Sequence, residues 1–135
     1  MTVFVDTSAF LALLDGDDVN HPAAVACFRD LRTEGSRLRT TNYVLVETTA
    51  LIQARLGIAA LRAFRESYQP LLDVTWMGET DHERAFAAIL VVGRRRLSLV
   101  DCASFDCMRG LGLLRAFTFD RHFTEQGFER IPYSR

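Results

Sequence analysis

Four carboxylates in this 135-residue sequence each follow an apolar, strand-like run, and this shared setting makes them the first candidates for chemistry. They are Asp6 in VFVD, Glu47 in VLVE, Asp101 in LSLVD and Asp120 in AFTFD. Carboxylates grouped in a partly apolar setting repel one another and lose hydration, so a cation is needed to keep them ionised. Mg²⁺ and Mn²⁺ take oxygen ligands, and no His/Cys cluster in the sequence competes for zinc. The pattern predicts a divalent-metal site suited to phosphodiester hydrolysis.

Each of these acids, taken alone, also has a structural explanation. Asp101 is the third helical residue of a Ser98-x-x-Asp101 capping box, where the helix dipole favours an acid. Glu47 fits a solvated helix face, and Asp120 fits a cap for the turn that follows it. Asp106 lies about 140° around the predicted helix from Asp101, so we assign it at most an outer position beside the site. The four acids are therefore credible chiefly as a set.

The predicted elements can bring these acids to one place. Asp6 and Asp120 come directly after predicted strands, and the carboxyl ends of parallel strands open on the ligand-binding edge of a sheet. Asp101 falls in the first turn of a helix. Glu47 lies about six residues beyond the strand that ends at Thr41, which is roughly 9 Å along a helix. All four acids can therefore reach the same edge of the sheet.

Strand-like and helical segments alternate along the chain. The predicted strands cover residues 3–5, 38–41, 71–77, 113–119 and 128–131. The predicted helices cover residues 7–15, 22–34, 42–56, 58–68, 80 to about 95 and 98 to about 110, with a turn or short helix at 120–126. A Thr80-x-x-Glu83 capping box is expected to open the fifth of these helices. The alternation predicts a three-layer α/β/α sandwich with a mainly parallel central sheet, in one domain that spans residues 1–135.

Composition limits the choice of partners and location. The formal charge of −1 argues against a protein that binds nucleic acid by charge alone. All 16 basic residues are arginines, which suit bidentate phosphate contacts, although codon usage in a GC-rich genome explains the missing lysines more simply. Three cysteines without a CxxC pair predict buried, reduced thiols. The sequence shows neither a stretch long enough to cross a bilayer nor a basic leader, so we expect no membrane contact and a cytoplasmic location.

The sequence resembles PIN-domain nucleases, and within them the VapC-type toxins of bacterial and archaeal toxin–antitoxin pairs. The resemblance is carried by the segments VFVDTSAF, TTNYVLVET, LSLVDCASF and AFTFDRHF, and it covers essentially the whole chain. Any one segment is a weak signal, but four in this order and spacing form a specific one. The resemblance implies a compact α/β/α sandwich and a Mg²⁺- or Mn²⁺-dependent endoribonuclease that leaves a 5′-phosphate and a 3′-hydroxyl.

The resemblance also implies roles for individual residues. It implies that the metal ligands and catalytic residues are Asp6, Glu47, Asp101 and Asp120. Small hydroxylated residues that support the site would be Thr7, Ser8 and Thr118, for which capping or turn formation is the ordinary alternative. Position in the sequence, rather than the resemblance, suggests RNA contacts: Arg94, Arg95 and Arg96 lie just before the Asp101 segment, and Arg121 and His122 follow Asp120. Either group could contact RNA phosphates, although a solvated surface is the commoner setting of such residues. His122 could shuttle a proton, but nothing in the sequence selects it for that role.

The partners implied by the resemblance are an RNA substrate, such as tRNA or rRNA, and a VapB-type antitoxin that lays an apolar segment over the site. A homodimer is also expected. Two apolar helix stripes could line the antitoxin groove or the dimer face, and core packing explains them equally well. The stripes are Val25/Phe28/Leu31 and Leu61/Phe64/Tyr68.

Three other functions were weighed against the nuclease. A phosphoaspartyl phosphatase also begins with an Asp after its first strand, but it needs a second Asp two residues later, where this chain has Ser8. A response-regulator receiver depends on a lysine, and this chain has none. The remaining alternative is a catalytically inactive PIN-like module that binds RNA or protein and keeps its carboxylates as relics. A relic site would bind Mn²⁺ no better than its Asp6→Asn variant.

Overall fold

The computed structural model describes residues 1–93 and 95–133. Strands and helices alternate for most of its length, as the sequence predicts. In chain order the elements are β1 (Thr2–Val5), α1 (Thr7–Leu14), α2 (His21–Thr33), β2 (Arg37–Thr41), α3 (Asn42–Arg55), α4 (Ile58–Ala63), β3 (Leu72–Thr75), α5 (Glu79–Val92), α6 (Leu99–Leu111), β4 (Arg115–Phe117), α7 (His122–Glu125) and β5 (Glu129–Ile131).

The strands form one five-stranded sheet in the order β3-β2-β1-β4-β5. Every neighbouring pair is parallel, with Val3 opposite Leu38 and Phe4 opposite Ala116. All five carboxyl ends therefore lie along the same edge of the sheet. The central strand β1 delivers Asp6 to this edge, and its neighbour β4 delivers the segment that contains Asp120.

The core is built on the central strand. Val3, Phe4 and Val5 are all fully buried although successive side chains of a strand point to opposite faces of the sheet. Helices must therefore cover both faces, which is why β1 is apolar throughout rather than alternating. This arrangement confirms the predicted α/β/α sandwich in a single domain, with a sheet that is wholly rather than mainly parallel.

Two helices differ from the predictions in their ends. The segment 58–68 is not one α-helix, because α4 ends at Ala63 and a π-helical turn, Phe64–Tyr68, continues the chain. The predicted Thr80 capping box is wrong. Gly78 is the residue before α5, and the backbone N–H of Gly78 donates a hydrogen bond to the carboxylate of Asp81 at 3.0 Å. The same helix ends at Val92 rather than near residue 95, because Gly93 adopts the left-handed conformation (φ 66°).

The apolar stripes of α2 and of the segment after α3 serve mainly the core. Leu31 and Phe64 are buried, and the rings of Phe28 and Tyr68 pack with their centroids 5.2 Å apart. The three cysteines are buried free thiols, as predicted. Within the described ranges, none of the helices is both long enough and apolar enough to span a membrane.

Candidate active site

Asp6 stands at the junction of β1 and α1. Its backbone N–H donates to the carbonyl of Phe117 at 3.1 Å, which ties it to the end of β4. Its side chain caps α1 by accepting from the N–H of Ser8 at 3.4 Å. The parallel sheet and the helix N-terminus together fix this carboxylate at the sheet edge.

Two hydroxyl groups hold the same oxygen of Asp6. Ser8 Oγ and Thr118 Oγ1 each lie 2.9 Å from Asp6 Oδ2 and donate to it, and the two hydroxyl oxygens are 3.1 Å apart. Both hydroxyls also accept from the β4 side of the site: Ser8 Oγ from Phe119 N at 2.9 Å and Thr118 Oγ1 from Asp120 N at 3.0 Å. The two strand ends are thus joined through Asp6.

Asp120 begins the turn that leads into α7. Its Oδ1 accepts from the backbone N–H of His122 at 2.9 Å, which fixes the carboxylate in a tight side-chain turn. Asp120 therefore caps the turn that follows it. This hydrogen bond uses one lone pair of Oδ1, so both carboxylate oxygens keep lone pairs that can bind a further ligand.

Asp101 sits at the start of α6 in the predicted capping box. Its N–H donates to Ser98 Oγ and its Oδ2 accepts from Ser98 N, each at 3.1 Å. The cap orients the carboxylate and leaves its second oxygen for other partners. Asp106, by contrast, is engaged by Arg84 on α5 through Oδ2 at 3.1–3.2 Å, which gives it a structural partner instead of a place at the site.

Glu47 is half-buried on α3, the helix that follows β2. Burial raises the pKa of Glu47, and a hydrogen bond from Thr7 opposes this rise. Thr7 Oγ1 in turn accepts from Thr48 Oγ1 at 3.1 Å. Thr7 therefore links α1 to α3 beside Glu47. Thr7, Ser8 and Thr118, the three hydroxylated residues singled out from the sequence, all contact an acid or its immediate support.

The electrostatics of the site oppose ionisation. Burial raises the pKa of Asp6 to about 6, against the hydrogen bonds from Ser8 and Thr118, which lower it. The negative charges of Asp101 and Asp120 raise it further. Mutual repulsion of this kind shows that the acids share one electrostatic environment.

The pKa values of two other acids are shifted in the same direction. Burial is the largest cause for Glu47, and the charges of Asp101 and Asp120 add to it. Burial also raises the pKa of Asp101, Asp120 raises it further, and the bonds to Ser98 oppose the rise. The structure thus brings all four sequence-predicted acids into one electrostatically coupled group.

One member of the site was not selected from the sequence. A ligand atom from each of Asp101, Asp120 and His122 lies within 4.8 Å of the other two, which is close enough for one metal ion. His122 Nδ1 is 3.1 Å from Asp120 Oδ1. The only signal in the sequence is the position of His122 two residues after Asp120, in the FDRHF segment.

The arginines suggested as RNA contacts lie on the surface. Arg95 and Arg96 are exposed in the turn before α6, and Arg121 is exposed directly after Asp120. Arg94 lies outside the described residues. The described arginines are accessible to a large ligand, and their contact with RNA stays a prediction.

Comparisons with known proteins identify the family and the fold. A family model described as PIN domain matches residues 3–129. The 23S rRNA-specific endonuclease VapC20 of Mycobacterium tuberculosis is 31% identical over 130 residues, which cover 96% of this chain and 97% of that protein. Ribonuclease VapC26 of the same species is 26% identical over 124 residues, with 90% of each protein covered.

Solved structures show the same fold. The crystal structure of M. tuberculosis VapC20, described as a sarcin–ricin loop cleaving toxin, superposes with a TM-score of 0.79 at 31% identity, over 94% of this chain and 96% of that one. FitAcB from Neisseria gonorrhoeae gives a TM-score of 0.68 at 14% identity, over 96% of each chain. The second likeness concerns the fold alone.

Proposed function

This chain belongs to the PIN-domain family, and from that premise we propose that it is a metal-dependent endoribonuclease, the toxin of a type II toxin–antitoxin pair. The observation that carries the proposal is the convergence of acids at one edge of the sheet, where Asp101 and Asp120 approach within ligand distance of His122. Identity of 31% over 130 residues to a 23S rRNA-specific endonuclease supports the same reaction class.

The donor set fits a divalent cation. Burial and the charges of neighbouring acids raise the pKa of Asp6 and of Asp101, and a cation between the carboxylates stabilises their charged form. Oxygen-rich sites suit Mg²⁺ and Mn²⁺. Asp101 and Asp120 would bind the ion directly, with Asp6 and Glu47 completing the site. When bound, such an ion supplies Lewis-acid activation of the scissile phosphate and of water.

The protein's own residues prepare this site. Ser8 and Thr118 both donate to Oδ2 of Asp6, so they do not occupy its other oxygen, Oδ1. The Ser98 cap fixes the direction of Asp101 in the same way. Because these side chains are held before substrate arrives, little reorganisation is needed at the moment of reaction.

RNA is the proposed substrate, and ribosomal RNA is favoured over tRNA because the 31%-identical relative is named for 23S rRNA. The proposed phosphate contacts are exposed arginines: Arg95 and Arg96 come shortly before Asp101 in the sequence, and Arg121 directly follows Asp120. Arg94 belongs to the same proposal from the sequence. The cytoplasm remains the expected location.

Two protein partners are proposed. The first is a VapB-type antitoxin, which would lay an apolar segment over the toxin and cover its acids. The second proposed partner is another copy of the chain, in a homodimer. Its proposed interface includes the groove along α3, which has a volume of about 660 Å³ and has Val46, Leu61, Phe64 and Trp76 in its walls.

The direct test is cleavage of RNA by purified protein without its antitoxin. We expect 5′-phosphate ends to appear only with Mg²⁺ or Mn²⁺, and we expect Asp101→Asn to lower the rate by on the order of 100-fold, because it removes a charged ligand. Sequencing of those ends, after brief induction in cells, identifies the RNA and the cleavage site.

Asp106→Asn is the matched control, since Asp106 lies on the same helix but pairs with Arg84. It should cleave like the unmodified protein. If neither metal supports cleavage and Asp6→Asn binds Mn²⁺ as well as the unmodified protein, the chain is instead an inactive PIN-like binding module.

A further inference from the structure

Among the described residues, His122 differs from the other two histidines because its ring Nδ1 makes no hydrogen bond. His21 Nδ1 lies 2.7 Å from the carbonyl of Ala12, and His82 Nδ1 contacts the hydroxyl of Tyr43. His122 Nδ1 is buried, and it has no hydrogen-bond partner within the described ranges. A buried nitrogen in this state is destabilising unless something else binds it.

The neighbour of this nitrogen explains what could bind it. His122 Nδ1 lies 3.1 Å from Asp120 Oδ1, close enough for an ion pair, yet the angles do not make a hydrogen bond. Two ligand atoms of an octahedral ion with bonds of about 2.1 Å are separated by about 3.0 Å when they are adjacent. The nitrogen and the carboxylate oxygen are therefore spaced as neighbouring ligands of one cation.

The backbone holds this pair in place. His122 N donates to the same Asp120 Oδ1 at 2.9 Å, and His122 begins α7. The side chain of His122 is only 19% exposed, so its ring has little freedom to turn to solvent. Asp101 supplies a third ligand atom within 4.8 Å of both.

We propose that His122 is a nitrogen ligand of the metal site, beside Asp101 and Asp120, and that it shifts the site's preference from Mg²⁺ toward transition-metal ions. This inference rests on the proposed function, because it assigns one more ligand to the same metal. Imidazole nitrogen binds Mn²⁺, Co²⁺ and Ni²⁺ with increasing strength, whereas Mg²⁺ prefers oxygen and keeps its water. The chain would therefore use a metal range that an all-carboxylate site does not favour.

The first experiment needs no substitution. Bound Mn²⁺ is probed by pulsed electron paramagnetic resonance in protein that carries either natural or ¹⁵N-labelled histidine. We expect a directly coordinated nitrogen whose signal changes with the isotope, and whose loss in His122→Gln assigns it. The absence of a histidine nitrogen signal from the Mn²⁺-loaded unmodified protein would overturn the inference.

The second experiment compares metals by calorimetry. In His122→Gln, affinity for Ni²⁺ should fall by about 10- to 100-fold, affinity for Mn²⁺ by less, and affinity for Mg²⁺ by under about threefold. An equal loss for all three metals would mean that the ring only positions Asp120, which contradicts the proposal. His82→Gln is the control, with unchanged affinity for each metal, and circular dichroism shows whether each variant is folded.

Asp101→Asn separates failure of this inference from failure of the proposed function. If Asp101→Asn binds all three metals like the unmodified protein, the metal site itself is wrong. If Asp101→Asn loses them but no histidine nitrogen is coordinated, the carboxylate site stands and only the role of His122 falls.

Discussion

Asp6 combines two demands that conflict in the metal-free protein. As the cap of α1 and the acceptor for Ser8 and Thr118, it needs a fixed, buried position. The same burial raises its pKa to about 6 and disfavours the charge. The metal-free site is therefore strained electrostatically at neutral pH, and a cation relieves that strain.

Asp6→Asn should stabilise the metal-free protein at neutral pH. Because folding raises the pKa of Asp6 from 3.8 to about 6, the folded state binds this proton more tightly than the unfolded chain does. Its stabilising contribution is full below about pH 3.8 and is lost as the pH rises to about 6. At pH 7.5 the loss amounts to up to about 3 kcal/mol, so the variant should be more stable by about 1–3 kcal/mol.

Urea unfolding in chelator at pH 4 and pH 7.5 measures this difference. At pH 4 the variant and the unmodified protein should unfold at nearly the same urea concentration. Asp106→Asn, which keeps Asp6, should retain the pH dependence of the unmodified protein. If Asp6→Asn is less stable than the unmodified protein at pH 7.5, and the deficit is as large as at pH 4, the assignment of strain to Asp6 is contradicted.

At the scale of elements, α6 depends on its first turn. The reciprocal hydrogen bonds of Ser98 and Asp101 satisfy two backbone N–H groups at the helix start. Ser98→Ala removes the hydroxyl that accepts from Asp101 N, so it should destabilise the protein by about 1 kcal/mol. Urea unfolding should show a lower midpoint with an unchanged slope.

Ser98→Thr is the matched control, because threonine keeps a hydroxyl acceptor and should retain most of the stability. The backbone bond from Ser98 N to Asp101 is independent of the side chain at 98, so Mn²⁺ affinity should change by under about threefold in both variants. If Ser98→Ala leaves the midpoint unchanged, the cap contributes nothing to stability.

The strands and the main helices were predictable because their apolar runs and their terminal residues indicate the same type of element. Residues 3–5 are apolar without a break, as a central parallel strand requires, and Ser98 with Asp101 matches a capping box in both sequence and structure. The start of α5 was not predictable in this way. Thr80 has the right spacing to Glu83, but Gly78 and Asp81 have the same three-residue spacing, and α5 begins after Gly78.

Some residues of the candidate site could likewise be predicted from the sequence, and others could not. Asp6 and Asp120 follow strands, so their place at the sheet edge follows from the parallel topology alone. The direction of the His122 ring does not follow from the topology. It depends on the side-chain turn at Asp120 and on burial after α7 packs. Strand ends can therefore be predicted from the local sequence, whereas the orientation of a side chain such as that of His122 cannot.

At the scale of the whole molecule, one part of the surface is unusually apolar. Trp76 is 73% exposed and Val46 is 70% exposed, and both line the groove along α3. On α5, Phe86 and Leu90 are also exposed and share a helix face with His82, which contacts Tyr43 of α3. Large exposed side chains so close together favour burial against a partner.

Trp76→Glu should convert the proposed homodimer to a monomer, because a charge replaces a large apolar side chain that lines the α3 groove and would be buried unpaired in the interface. Sedimentation velocity over a range of concentrations measures the change. Val19→Glu is the matched control: Val19 is 91% exposed between α1 and α2, away from the α3 groove, so the same charge there should leave the dimer intact. A dimer that survives Trp76→Glu, or one that dissociates equally with Val19→Glu, would place the interface elsewhere and leave the α3 groove to the antitoxin.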